Sequence, residues 1–143
     1  MKKVFWIFCL CFVCLLSTGG KVNAQNYYYE EVIEILSESS ITKATQTISG
    51  RKTAYVKNSY GTVLWYVTVE GTFSYTGTSS KCINSSVLAS SKDSRWRIVS
   101  KSCTKRGNIA KATASAKYYL NGDAIENLTK TVTLTCSSKG ILS

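Results

Sequence analysis

Between Ala110 and Leu120 the chain alternates without interruption. Ala110, Ala112, Ala114, Ala116, Tyr118 and Leu120 take one parity, and Lys111, Thr113, Ser115, Lys117 and Tyr119 take the other. Side chains on a strand point to opposite faces with a period of two, so this is a strand with one buried face. That face is largely alanine, which lets a neighbouring layer come close. The same period recurs from Ser40 onward, where Ser, Thr, Val, Ile and Tyr displace helix formers. Val63, Trp65, Val67 and Val69 share one side of a strand expected to end at Glu70 and Gly71, with Phe73 and Tyr75 in the next. Trp96 and Ile98 oppose Arg97, Val99 and Lys101. Leu128, Val132, Leu134 and Cys136 oppose Thr129, Thr131, Thr133 and Thr135.

Turn chemistry separates these runs at Asn58 to Gly61, Glu70 and Gly71, Gly77, Lys92 and Asp93, Arg106 and Gly107, and Asn121 and Gly122. Asn-Gly is the strongest hairpin signal, because both central residues of a type I′ turn need positive φ. About seven strands without interleaved helices predict an all-β fold, an antiparallel β-sandwich of immunoglobulin-like architecture, with a small barrel as the alternative. There is no proline to blunt an edge strand, so lysines and bulges must protect the edges.

The first 24 residues read differently. Lys2 and Lys3, an apolar run from Val4 to Leu16, and Val22, Asn23 and Ala24 form a secretory signal peptide pattern with a cut at Ala24/Gln25. The run is too short to span a bilayer, which needs about 20 apolar residues. A secreted, extracellular protein is therefore expected, and no lipoprotein cleavage pattern accompanies Cys9, Cys11 or Cys14. Removing residues 1–24 from the 143 leaves 119, enough for one domain. Residues 25–40 form an acidic leader, in which Tyr29, Val32, Ile33 and Leu36 follow helical spacing and predict a short amphipathic helix. The β-sandwich domain is expected over 41–143.

Charge is divided along the same line. Residues 25–40 carry four glutamates and no base, whereas 41–143 carry fifteen lysines and arginines against four acids, a net of +11. A cationic exported domain points toward an anionic cell-wall polymer, an acidic glycan or a membrane surface as partner; no nucleic acid is expected. Of the cysteines outside the signal peptide, parity puts Cys136 inward and Cys103 on the face of Arg97 and Lys101. The expected disulfide is Cys82 to Cys136, closing a loop of ~54 residues and contributing about 4 kcal/mol in the chain-entropy account. Trp96 between these cysteines is like the immunoglobulin Cys, Trp, Cys arrangement. Leu134, however, stands where the tyrosine corner would be.

The segments Gly71-Thr-Phe-Ser-Tyr-Thr-Gly77, Ser80-Lys-Cys82 and Lys130-Thr-Val-Thr-Leu-Thr-Cys-Ser-Ser-Lys-Gly-Ile-Leu-Ser143 resemble uncharacterised small secreted proteins of Gram-positive, Clostridia-like gut bacteria over roughly 45–143. The resemblance implies a secreted β protein in which Cys82 and Cys136 correspond to the family's two cysteines. It implies no activity, and Cys103 departs from its pattern.

The chain has no histidine, which removes histidine-based acid–base catalysis. Asp123 and Glu126 flank a turn, and no phosphate or calcium loop is visible. No metal site is expected without histidine or closely spaced cysteines, and no cofactor is implied. The protein is accordingly expected to be a non-catalytic cationic binding module. The alternative is a membrane-active cationic protein restrained by its acidic N-terminal segment. Arg95 and Arg97 flank Trp96, and parity sends Trp65 and Trp96 inward, leaving Tyr66, Arg95, Arg97, Lys101 and Tyr119 as candidate surface binding residues.

Overall fold

The computed structural model describes residues 26–40 and 44–143; the signal-peptide reading of 1–24 lies outside them. Seven strands follow in order: β1 (Tyr28–Ser40), β2 (Gln46–Lys57), β3 (Val63–Tyr75), β4 (Ser80–Ser91), β5 (Trp96–Arg106), β6 (Ile109–Leu120) and β7 (Asp123–Thr135). They form a four-stranded sheet in the order β1-β2-β3-β4 and a three-stranded sheet in the order β5-β6-β7. Every pairing is antiparallel and joins consecutive strands. The architecture is thus the expected all-β sandwich, with each sheet a simple meander. Immunoglobulin domains instead connect their strands as a Greek key.

The core lies between the sheets. Trp65, Val67, Val69 and Phe73 of β3 are fully buried, as are Ala110, Ala112, Ala114 and Ala116 of β6 and Leu134 of β7. Large side chains from one sheet thus fill the space left by methyl groups on the other. Burying a side chain of this size contributes about 1.5–3 kcal/mol. The Trp65 indole N–H has no hydrogen-bond acceptor among the described residues.

Gly71 explains why one expected turn is absent. β3 runs straight through Glu70 and Gly71, with Gly71 paired to Gly50 on β2 and Ser85 on β4. A Cβ at Gly71 would lie 2.7 Å from the Phe73 ring and 3.2 Å from the Ala110 Cβ of the opposite sheet. The glycine makes room for a ring and a facing strand, and it does not bend the chain. At Asn121 and Gly122 the expected hairpin is present, with φ values of 52° and 91°.

The acidic segment differs from expectation. Tyr28–Ser40 is the edge strand β1 and not an amphipathic helix, so the sandwich begins before residue 41. Its apolar spacing suits a helix, but Val32, Ile33, Ile35 and the tyrosines also suit a strand, and pairing with β2 decides. The ion pairs fit only the strand. Glu30 meets Lys57, Glu34 meets Arg51 at 2.6 Å, and Glu31 lies between Lys52 at 3.2 Å and Lys130 at 3.3 Å. The last contact crosses from β1 to β7. Beside it, the Tyr27 hydroxyl donates to Glu126 at 2.5 Å and the Tyr27 ring stands edge-on to Trp96. Glu126 is therefore engaged between the sheets, where the sequence suggests a solvated turn residue. Burial, followed by that carboxylate, raises the Tyr27 phenol above its ordinary range.

Gly71→Val is expected to cost about 1–3 kcal/mol through overpacking against Phe73 and Ala110, read as a lower urea midpoint with an unchanged m-value.

Candidate functional site

The register of β5 decides which candidates can act together. Val99 is an extra residue: Ile98 pairs with Ala116, and Ser100 pairs with Ser115. This bulge reverses the parity of everything after it. Arg97 pairs with Lys117 on the outer face, but Lys101 pairs with Ala114 and Cys103 with Ala112, on the parity of the core. The expectation that Arg97, Lys101 and Cys103 share a face is therefore corrected. Lys101 is exposed at the β5 edge, apart from the other candidates. Cys103 turns toward β4, where the Ser85 hydroxyl donates to its Sγ at 3.9 Å.

Arg95, Arg97 and Tyr119 do converge. The Arg97 guanidinium lies over the Tyr119 ring at 4.8 Å, and the Arg95 guanidinium lies over the Tyr118 ring at 5.5 Å. The Tyr119 N–H donates to the Arg95 carbonyl at 2.8 Å, tying the β4–β5 loop to the end of β6. Asp93 fixes that loop. It accepts from the Arg95 N–H at 2.9 Å, Nε at 3.1 Å and NH2 at 2.8 Å. The Arg95 side chain holds the Asp93 carboxyl below its usual range, against a smaller opposing effect of burial. Among the described residues Arg97 has no carboxylate partner.

Cross-strand pairing extends this cluster into a platform. The outer face of the three-stranded sheet has rows Arg97–Lys117–Asn127, Ser100–Ser115–Thr129, Ser102–Thr113–Thr131, Thr104–Lys111–Thr133 and Arg106–Ile109–Thr135. None of the residues in these rows is acidic. Hydroxyls fill the middle, with the Thr113 and Thr131 oxygens 2.8 Å apart and those of Ser115 and Thr129 2.7 Å apart. Sequence reading missed Lys117, Lys111 and Arg106 as members of this set. Alternation marks Lys111 and Lys117 as outward, Arg106 comes to that face only through the bulge at Val99, and only register across three strands shows that no acid accompanies them.

Tyr66 is elsewhere, on the outer face of the four-stranded sheet. Its ring lies 5.9 Å from that of Tyr55, and the Lys92 ammonium stands 5.7 Å from its centroid. The five candidates thus divide into a cluster of three, an isolated Lys101, and Tyr66 on the opposite side of the molecule.

Cys82, Cys103 and Cys136 are free thiols in the structure, so the expected Cys82–Cys136 bridge is not formed. The two are nevertheless neighbours. Their backbone N–H groups donate to the consecutive carbonyls of Gly107 and Asn108, at 2.7 and 3.1 Å. Burial raises both thiols above the ordinary cysteine range, and the nearby Cys82 raises Cys136 further. Among the described residues no group of cysteine and carboxylate side chains is arranged to hold a metal. Comparison of the chain with protein-family models, with curated proteins and with solved structures finds no match.

Because the folded pKa of Asp93 is depressed, the loop's stabilisation is complete above the ordinary carboxylate range and is lost as pH falls through the lower folded value. Carboxyl NMR titration is expected to find Asp93 titrating below free aspartate, and Arg95→Ala to return it toward the ordinary value.

Proposed function

We propose that the protein is a secreted, non-catalytic module that binds an anionic polymer through the outer face of its three-stranded sheet. The observation carrying this reading is the composition of that face: Arg97, Lys117, Lys111 and Arg106 in rows without an acid, separated by serine and threonine hydroxyls. Cations interspersed with hydroxyls suit a chain bearing repeated phosphate or carboxylate groups, since each unit finds a charge partner and neutral hydrogen bonds. Arg97, stacked on Tyr119, is already oriented and loses less side-chain freedom on binding. A cell-wall polymer or an acidic glycan has this chemistry, and an exported protein encounters both.

The acid distribution supports the same face. Glu30 and Glu34 are ion-paired on the opposite side, Glu31 lies in the seam between the sheets, and Asp93 is bound to Arg95. The alternative of a membrane-active protein unmasked by loss of its acidic segment has less support. Removing β1 would strip an edge from the four-stranded sheet and uncover backbone, leaving the cationic face unchanged.

Oxidation outside the cytoplasm belongs to this reading. Cys82 and Cys136 flank one turn, and exchange with an oxidised thiol-disulfide catalyst would join them with loss of two thiol hydrogens to that catalyst. Mass spectrometry of secreted protein is expected to give a chain beginning at Gln25, with Cys82 and Cys136 in one linked peptide and Cys103 free.

Binding to immobilised polyphosphate and polygalacturonate is expected to weaken steeply between about 0.05 and 0.5 M salt as the Debye length shrinks. Arg97→Ala combined with Lys117→Ala is expected to weaken it roughly ten-fold, about 1.4 kcal/mol. Equal binding to neutral dextran, indifference to salt, or an unaffected double variant would each overturn the proposal.

A further inference from the structure

The outer face of the four-stranded sheet has a different chemistry. Its registers place side chains in rows that alternate between long and short. Tyr55 and Tyr66 pair directly and form one tall row. The next is short, running Val32, Thr53, Thr68 and Leu88 across four strands, and the third is tall again, with Glu34, Arg51, Glu70 and Ser86. A short row between two tall ones leaves a trough, and a depression of about 200 Å³ lies there. Beyond the charged row the side chains shorten again at Ser37, Ser49, Thr72 and Asn84, and a second depression of about 290 Å³ follows. Glu70 lines both. The two hollows lie on one face, separated by that row of charged side chains.

We propose that this trough binds a neutral oligosaccharide, with a sugar ring in the first hollow and the next unit over the second. Charge decides against an ionic ligand. Arg51 is held by Glu34 at 2.6 Å and faces Glu70 at 4.0 Å, while Lys92 stands over Tyr66. Two carboxylates would repel an anion, and the two cations would repel a cation. What the lining offers is fixed donors and acceptors beside ring faces. The carboxylates accept from sugar hydroxyls, the guanidinium donates, and the paired tyrosines give an apolar surface for the C–H face of the ring.

The site is also rigid and open. Thr53 and Thr68 are buried beneath the trough with their hydroxyl oxygens 2.7 Å apart, so the floor is set by the sheet and not by a loop. Leu88, about half exposed, and Val32 close the two sides of the short row. Ser86 donates to Glu70 at 3.3 Å and orients the carboxylate that lines both hollows. Neither the Tyr55 nor the Tyr66 hydroxyl is engaged in a hydrogen bond with another described side chain, so both can take a sugar hydroxyl. This site is independent of the polyanion face, which lies on the other sheet.

The test is NMR titration of the full mature protein with maltotriose, cellotriose and diacetylchitobiose, up to about 20 mM to cover millimolar affinities. Shifts are expected at Tyr55, Tyr66, Thr68 and Glu70 with at least one probe, unchanged by added salt. Tyr66→Ala and the near-isosteric Glu70→Gln are each expected to weaken binding at least ten-fold, and Arg97→Ala to leave it unchanged. Mapping on the wild-type chain does not depend on the variants folding. No shift with any of the three probes, shifts confined to the other sheet, or binding that weakens with salt or with Arg97→Ala would overturn the proposal.

Discussion

The close approach of β3 and β6 is the contact on which the rest of the molecule depends. Alanine at four successive inward positions of β6 leaves a shallow channel, and Trp65, Val67, Val69 and Phe73 of β3 fill it. Gly71 is a point of close fit in this contact, where the Phe73 ring takes the place of a side chain and Ala110 faces it from the other sheet. Interiors of this density tolerate little change in volume. An interior strand of each sheet is thereby fixed, and the remaining strands are laid down from it by their own antiparallel pairings.

With the registers fixed, the two outer faces acquire opposite chemistry. On the four-stranded sheet, acids of β1 stand against bases of β2, so charge is consumed locally and the remaining relief comes from side-chain length. On the three-stranded sheet the outward rows from Arg97 to Arg106 hold no acid, Glu126 being turned to the seam with Tyr27, and the cations of those rows stay open. Exposed ion pairs contribute only about 0.2–1 kcal/mol each. Their larger consequence here is distribution, since neutralising one face leaves the other as the cationic side.

Much of this was legible in the sequence. Alternation in 110–118 and 128–136 gave the inward and outward sets, and Asn121-Gly122 gave its hairpin, because both are local signals; Leu120, on the inward parity, is exposed where the strand ends at that turn. The segment 28–40 was not legible as a strand, since its apolar residues fit either period and the deciding ion pairs come from β2 and β7. Nor was the reversal of Lys101 and Cys103, because Val99 alternates with its neighbours like any strand residue and only pairing with β6 reveals it as extra. Gly71 reads as a turn until a ring is seen in its side-chain space. The neutral trough needed three registers at once, so Tyr66 could be singled out while Tyr55, Arg51 and Glu70 could not.

The seam between β1 and β7 has a mechanical meaning. Glu31 to Lys130, and Tyr27 just ahead of β1 to Glu126, tie the start of one sheet to the last strand of the other. Tension applied at the N-terminal end would load these side-chain ties and the β1–β2 ladder in sequence, opening the antiparallel pair like a zipper, one rung at a time. The inter-sheet core of β3 and β6 lies behind that edge and bears load only after β1 has been peeled away. The acidic strand thus acts as a tear strip ahead of the packed interior.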